Sequence, residues 1–180
     1  MYELLTYQKF RDTPSVRFFD ITIADSNARD LVFHEGPAIS PNNTPEGDWQ
    51  FYLHAHQEDN LLALTGGRTF YLINFAWETS FHTVRVESNR EILRIPPGTF
   101  HRSISDPTGS LVLNQAVRSE VATIEREFQV YNSARVPRLQ KLITNLIVQE
   151  RSAILSSQPE SAQIRQPQSI RLVNAQVQAA

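Results

Sequence analysis

The sequence predicts an all-β barrel with a C-terminal helical extension, from three observations. Short runs rich in branched and aromatic residues recur between turn signals through residues 48–117. That stretch has no useful helical period. After about residue 118 the period changes to three and four.

The barrel runs are Trp49–His56, Leu61–Leu64, Thr69–Phe75, Thr83–Val86, Glu91–Ile95, His101–Ser105 and Leu111–Ala116. Gly66-Gly67, Pro96-Pro97-Gly98 and Asp106-Pro107-Thr108-Gly109 read as the turns that separate them. Many short strands with regular breakers imply a sandwich or a closed barrel. The chain therefore divides into an N-terminal arm and loop (1–46), a barrel (47–117), C-terminal helices (118–155) and a tail (156–180). The arm holds two strand-like runs, 16–23 and 31–34. Val121, Ile124 and Phe128 are spaced for one helical face, as are Leu139, Leu142, Ile143, Leu146 and Ile147, with Pro137 suited to a first turn. The Gln- and Ser-rich tail reads as extended, with 169–173 apt to dock as a strand.

Composition excludes several classes of function. Seventeen Lys and Arg stand against 19 Asp and Glu, with no basic run. Such a chain lacks the electrostatic footprint of a nucleic-acid binder or of a protein drawn to an anionic membrane. With no cysteine, disulfides, thiolate catalysis and zinc–sulfur sites are ruled out. The start of the chain lacks a basic region followed by an apolar stretch, so no signal peptide is expected. A cytoplasmic location is the expectation.

Chemistry concentrates in two places. His54-Ala55-His56 on a strand puts both imidazoles on one face, with Tyr52 beside them. Two such imidazoles serve a metal or a proton-transfer site. Pro96-Pro97-Gly98-Thr99-Phe100-His101 is a rigid turn presenting a third histidine at the start of a strand. His34 and His82 have no partner spacing and read as solvated or turn residues.

Here the sequence resembles the cupin superfamily. Gly47, six residues, His54-Ala55-His56, three residues, Asn60, six residues and Gly67 follow the first cupin motif. Pro96-Pro97-Gly98 and His101 follow the second. Two departures stand out: Asn60 occupies the place of the motif's glutamate, with Glu58 two residues earlier, and Ser105 and Arg90 replace the second motif's closing asparagine and opening glycine. The resemblance implies a double-stranded β-helix, the cupin jelly-roll barrel, with a small-molecule pocket inside it. The His54-Ala55-His56 region, with Leu61–Gly66 behind it, also resembles the nucleotide-sugar 3,4-ketoisomerases. Thr69–Phe75 and the turn at Ile95–His101 resemble the dTDP-4-dehydrorhamnose 3,5-epimerase group, whose best-known name gives the RmlC-like cupins theirs. Those branches work without metal and use histidine as a general base next to a sugar ketone.

Three readings follow, and the residues leave open whether the protein is an enzyme. In the first, His54, His56 and His101, with Asn60 or Glu58 at a fourth position, hold a divalent metal (Fe, Mn, Ni or Zn) beside a small ligand. In the second, a metal-free epimerase or ketoisomerase uses His54 or His56 as base and Tyr52 to return the proton. In the third, the barrel binds a small molecule without chemistry. The expected partners are a small-molecule ligand and a second copy in a homodimer, because barrel edges and the apolar helix face need cover.

Overall fold

The computed structural model describes residues 1–120, 123 and 127–157. The chain divides into two units, 1–143 and 144–180; of the second, the described residues 144–157 continue the C-terminal helix. Among the described residues, no helix is long and apolar enough to cross a membrane.

The strands of the first unit are β1 (Glu3–Leu5), β2 (Gln8–Asp12), β3 (Arg17–Asp20), β4 (Ala28–His34), β5 (Ile39–Ser40) and β6 (Gln50–Leu53). They continue with β7 (Gln57–Ile73), β8 (Phe81–Glu87), β9 (Ile92–Ile95), β10 (Phe100–Arg118) and β11 (Gln129–Asn132). A 3-10 turn, Ser133–Arg135, leads into helix α1 (Pro137–Ser157). Apart from the β2–β3 ribbon, the strands form one antiparallel sheet in the order β1-β9-β7-β10-β6-β11, with β4 and β5 on β10 and β8 on β7.

Two long strands organise this sheet, and each runs through a predicted turn. Gly66-Gly67 lies inside β7, and Asp106–Gly109 lies inside β10. The register between the two strands shifts from Ser105↔Arg68 to Ser110↔Gly66, a bulge at which both bend. Gly66 and Gly109 take left-handed φ values of 65° and 81°. A Cβ on Gly66 would overlap the Gly109 carbonyl, so glycine supplies both the backbone angle and the close approach. A hairpin reading fails here because the glycines serve a bend within paired strands, not a chain reversal.

The N-terminal segment is more than an arm. β1 pairs with β9, and β4 pairs with β10 over seven residues from Ser110↔His34 to Ala116↔Ala28. Pairing also continues past residue 117, where β11 adds to β6 from Gln129↔Leu53 to Asn132↔Gln50. Phe128 sits one residue before that strand; Val121 and Ile124 lie outside the described residues, as does the run 169–173. Helix α1 begins at Pro137, and Leu139 and Ile143 are buried while Gln140 and Lys141 face solvent.

The core is made by alternate residues of these strands. Leu61, Ala63, Phe70, Leu72, Val84, Val86, Leu93, Ile95 and Val112 form one buried cluster. Leu72, Leu93 and Val112 are wholly enclosed. Each such side chain stabilises the fold by about 1.5–3 kcal/mol relative to exposure. Leu61 and Phe70 of this cluster also line a cavity, where polar side chains join the inward-facing positions.

Candidate functional site

Inward-facing positions of five strands line a cavity of about 350 Å³. Asp30 and Val32 come from β4, Ser40 from β5 and Tyr52 from β6. Asp59, Leu61, Arg68 and Phe70 come from β7, and His101, Ser103 and Asn114 from β10. His54 and Phe128 complete the wall. Buried polar groups gathered against an apolar lining are the usual character of a ligand site.

The two histidine segments are tied to each other. Phe100 pairs with Leu53 and His101 with Tyr52 across β10 and β6. The Gly98 N–H of the Pro-Pro-Gly turn donates to the His54 carbonyl at 2.7 Å. The rings of His54 and His101 consequently lie 5.0 Å apart, with Tyr52 5.9 Å from His101.

His54 and His56 do not share a face. Regular pairing of β6 ends at Leu53, so the two-residue alternation of a strand stops before the motif. His54 is 5% exposed in the cavity wall. The His56 side chain is 63% exposed and lies outside it. Glu127 holds both. Its carbonyl accepts from His54 Nδ1 at 2.6 Å, and its carboxylate accepts from the His56 N–H and Nδ1, each at 2.9 Å. Burial pushes the Glu127 carboxyl up, but the hydrogen bonds from His56 and the nearby imidazoles outweigh it and hold it below the usual range.

Asn60 and Glu58 are also placed elsewhere. Asn60 donates to Glu58 and to the Gln115 carbonyl, and accepts from Arg94. Glu58 pairs with Arg94 at 3.3 Å and lines a separate cavity. The acidic partner of the histidines is Asp59, which sequence reasoning missed. The signal was present in the alternation of Gln57, Asp59, Leu61 and Ala63, all on one face of β7. Aligning the motif's glutamate onto Asn60 selected the opposite face.

Three acceptor atoms converge. Asp59 Oδ2 lies 3.5 Å from His54 Nε2 and 3.6 Å from His101 Nε2. Each histidine spends its Nδ1–H on a carbonyl, His54 on Glu127 and His101 on Thr99 at 3.1 Å. Both Nε2 atoms thus turn toward the carboxylate. Asp59 Oδ1 is fixed by Gln57 at 2.6 Å and Asn114 at 2.9 Å. Gln57 is in turn oriented by Arg118, which pairs with Asp30 at 2.7 Å. Two lone pairs and a carboxylate oxygen facing one point repel unless a positive charge sits among them. A shared proton or a cation meets that demand. Burial holds His101 below the usual histidine range and outweighs the Asp59 carboxylate, which raises it; neighbouring His54 lowers it further.

His34 is not a solvated residue. It is half-buried, hydrogen-bonded through Nδ1 to Ser105 Oγ at 2.7 Å, and its pKa is lowered to about 4 by burial and by Arg68. His82 Nε2 donates to the Thr79 carbonyl at 2.9 Å, and its ring packs on Tyr2 and Trp77.

No protein-family profile matches the chain, and no curated protein matches it in sequence. Solved structures do. An rmlC epimerase of Mycobacterium tuberculosis superposes with a TM-score of 0.54 at 12% identity, over 77% of this chain and 72% of that one. The sugar 3,4-ketoisomerase QdtA of Thermoanaerobacterium thermosaccharolyticum, solved with TDP, gives 0.53 at 13% identity over 71% and 86%. The dTDP-4-dehydrorhamnose 3,5-epimerase of Bacillus anthracis, with TDP and PPi bound, gives 0.53 at 12% over 69% and 75%. At such identities the likeness speaks for architecture, and the architecture of this chain is that of the RmlC-like cupin jelly rolls.

Proposed function

We propose that the protein is an epimerase or ketoisomerase that moves a proton next to a carbonyl group, using the His54–Asp59–His101 cluster. The observation that carries this reading is the convergence of both Nε2 atoms on Asp59 Oδ2 at the wall of the cavity. One Nε2 takes the proton from the carbon beside the ligand's carbonyl. The C–H electron pair moves toward the carbonyl, which becomes an enol. The second imidazole, carrying the cluster's shared proton, donates to the carbonyl oxygen. Asp59 stabilises the imidazolium that forms, as a buried carboxylate beside an imidazole does. Where the deprotonated carbon bears a hydroxyl, protonation of the former carbonyl carbon with loss of that hydroxyl's proton to an imidazole gives the isomer. Reprotonation of the same deprotonated carbon on its other face gives the epimer. Tyr52, at the cavity wall and 3.4 Å from Ser40 Oγ, is the hydroxyl placed to supply that proton.

The kinship in fold with epimerases and ketoisomerases supports the same reaction class. The test is hydrogen–deuterium exchange at the α-carbon of a panel of keto sugars in D2O, followed by NMR with chelator present. Exchange that His101→Asn abolishes is expected; exchange that persists at wild-type rate in that variant sinks the reading.

A metal reading has one specific observation in its favour. His54, Asp59 and His101 offer three ligand atoms within 4.8 Å of one another. Both imidazoles donate their other N–H to carbonyls, as metal-bound histidines do. This two-histidine, one-carboxylate set fits Fe, Mn, Ni or Zn, and it replaces the set of His54, His56, Asn60, Glu58 and His101. A bound ion would polarise the ligand's carbonyl as a Lewis acid. Stoichiometric metal in untagged protein, with exchange lost on chelation, would move the reaction to this footing.

A further inference from the structure

We infer that the cavity takes a small carbonyl compound bearing one anionic group, a carboxylate or a phosphate monoester, and that Arg68 holds that group. The inference rests on the proton-transfer reading for the other end of the ligand.

Arg68 is 3% exposed and lines the same cavity as the His–Asp cluster. Nε donates to Ser110 Oγ at 2.7 Å and Nη2 to the Val32 carbonyl at 2.8 Å. Both partners are neutral, and among the described residues no carboxylate pairs with this guanidinium. Nη1 has no partner. Among the described residues, Nη1 is not one of the fully enclosed side-chain atoms without a partner, so it is open, and Arg68 lines the cavity. Burial lowers the group to about 10, which leaves it charged at neutral pH. A buried, unpaired cation is costly, and an anion delivered to its open N–H groups offsets that cost through charge-assisted hydrogen bonds. Ser110 and Val32 hold the fork in place beforehand, so little ordering is left to the ligand.

The charge balance limits the anion to one group. The lining residues hold one cation, Arg68, and two carboxylates, Asp30 and Asp59. Arg118 neutralises Asp30 and the proton shared with the imidazoles offsets Asp59, which leaves the single charge of Arg68 for one anionic group. A nucleoside diphosphate would bring charges that no further lining residue meets. The 350 Å³ volume also sits at the low end of ligand pockets, which run from about 300 to 1,000 Å³. Arg68 pairs with Ser105, four residues along β10 from His101, or about 13 Å of strand. Less the reach of the arginine and imidazoles, that separation leaves a few bonds between the anionic group and the reacting carbon.

Calorimetric titration of wild type, Arg68→Met and Arg68→Lys tests this. The probes are dihydroxyacetone phosphate against dihydroxyacetone, 2-oxobutyrate against butanone, and TDP. At least one of the two probes with an anionic group should bind wild type ten times or more tighter than its neutral partner and than TDP. Arg68→Met should erase that preference and Arg68→Lys keep part of it. If Arg68→Met does not fold, rising ionic strength on wild type should weaken the anionic probe and spare its neutral partner. Equal binding of the neutral partners, tighter binding of TDP, absence of binding by either anionic probe, or an undiminished preference in Arg68→Met would each overturn the assignment. α-Deuterium exchange of the bound probe separates the two ideas. A charge preference without exchange keeps Arg68 and removes the proton-transfer reading; exchange without the preference does the reverse.

Discussion

His54 and His56 stand two residues apart and touch the same residue, yet they live in different solvents. His54 is enclosed and meets the backbone carbonyl of Glu127; His56 is open to water and meets its carboxylate. The carbonyl fixes a tautomer without adding charge, so the His54 Nε2 lone pair is free to face Asp59. The carboxylate, itself buried, pairs with a ring that is open to water, which screens the pair from one side. One glutamate thus orients the histidine that the proposed proton transfer uses and tethers the one that it does not. What separates them is the end of β6 at Leu53: one more residue of regular strand would leave both imidazoles on one face.

The largest break in this comparison is Asp59→Asn. The amide keeps the volume and can still meet Gln57 and Asn114, so the fold should survive. It removes the negative charge between the two Nε2 atoms. Proton exchange should fall by about 10²–10⁴-fold, the usual contribution of a positioned base, while ligand affinity changes little. Single-turnover exchange with a separate binding measurement checks it. A loss of less than about tenfold would place the reacting atoms elsewhere in the cavity.

Glu127→Gln is smaller and splits the residue's two roles. The backbone carbonyl remains, so His54 keeps its tautomer and exchange should stay within about threefold of wild type. The hydrogen bonds to His56 lose their charge, which should cost on the order of 1 kcal/mol in urea denaturation. The Glu127 carboxyl is held below the ordinary range in the folded state. Its contribution is therefore full above the ordinary carboxylate pKa and is lost as pH falls through the lowered value. The variant should lack that part of the acid limb; an unchanged limb would contradict the pairing.

His34 is intermediate between the two, half-buried and bonded to a neutral hydroxyl. Its pKa of about 4 in the folded state lies below the ordinary histidine value. Between about pH 6.5 and 4 the unfolded chain binds a proton that the folded one refuses, so stability falls on acidification. The full shift is worth about 3 kcal/mol, and partial exposure reduces it to roughly 2. Urea midpoints of wild type and His34→Gln across that range should diverge in slope, with the variant flatter.

The barrel was legible because its signals are local: alternating runs, breakers and a Pro-Pro-Gly turn bind the chain to strands whatever they pack against. His101 was legible for the same reason, as a rigid turn leaves its direction little choice. The glycines at 66 and 109 were not. A positive φ serves a hairpin and a bulge equally, and only the partner strand decides between them. Asp59 was hidden by one residue of register, which on a strand is the difference between inside and outside. Glu127 had no signal at all. It reaches the site from more than seventy residues away, so its role exists only once β11 has paired with β6.

The smallest expected effect is the sharpest test of the comparison. His56 belongs to the motif as fully as His54 does, so a motif-based reading gives both the same weight. The structure gives His56 an exposed ring, one ion pair with Glu127 and no place in the cavity lining. His56→Ala removes the ring but leaves the backbone N–H that donates to Glu127. Glu127, buried at 3% exposure, keeps that bond and loses the one from the exposed ring. Stability should fall by about 1 kcal/mol, one hydrogen bond to a buried carboxylate from a partner that water screens, and proton exchange should stay within about twofold. His54→Ala should differ on both counts, because it empties an enclosed site and removes one of the two Nε2 atoms. Exchange rates and urea midpoints of the two variants, measured side by side, decide the matter. If His56→Ala loses exchange as deeply as His54→Ala, the strand must continue through His56 in the ligand-bound protein, and Asp59 yields its place to the second imidazole.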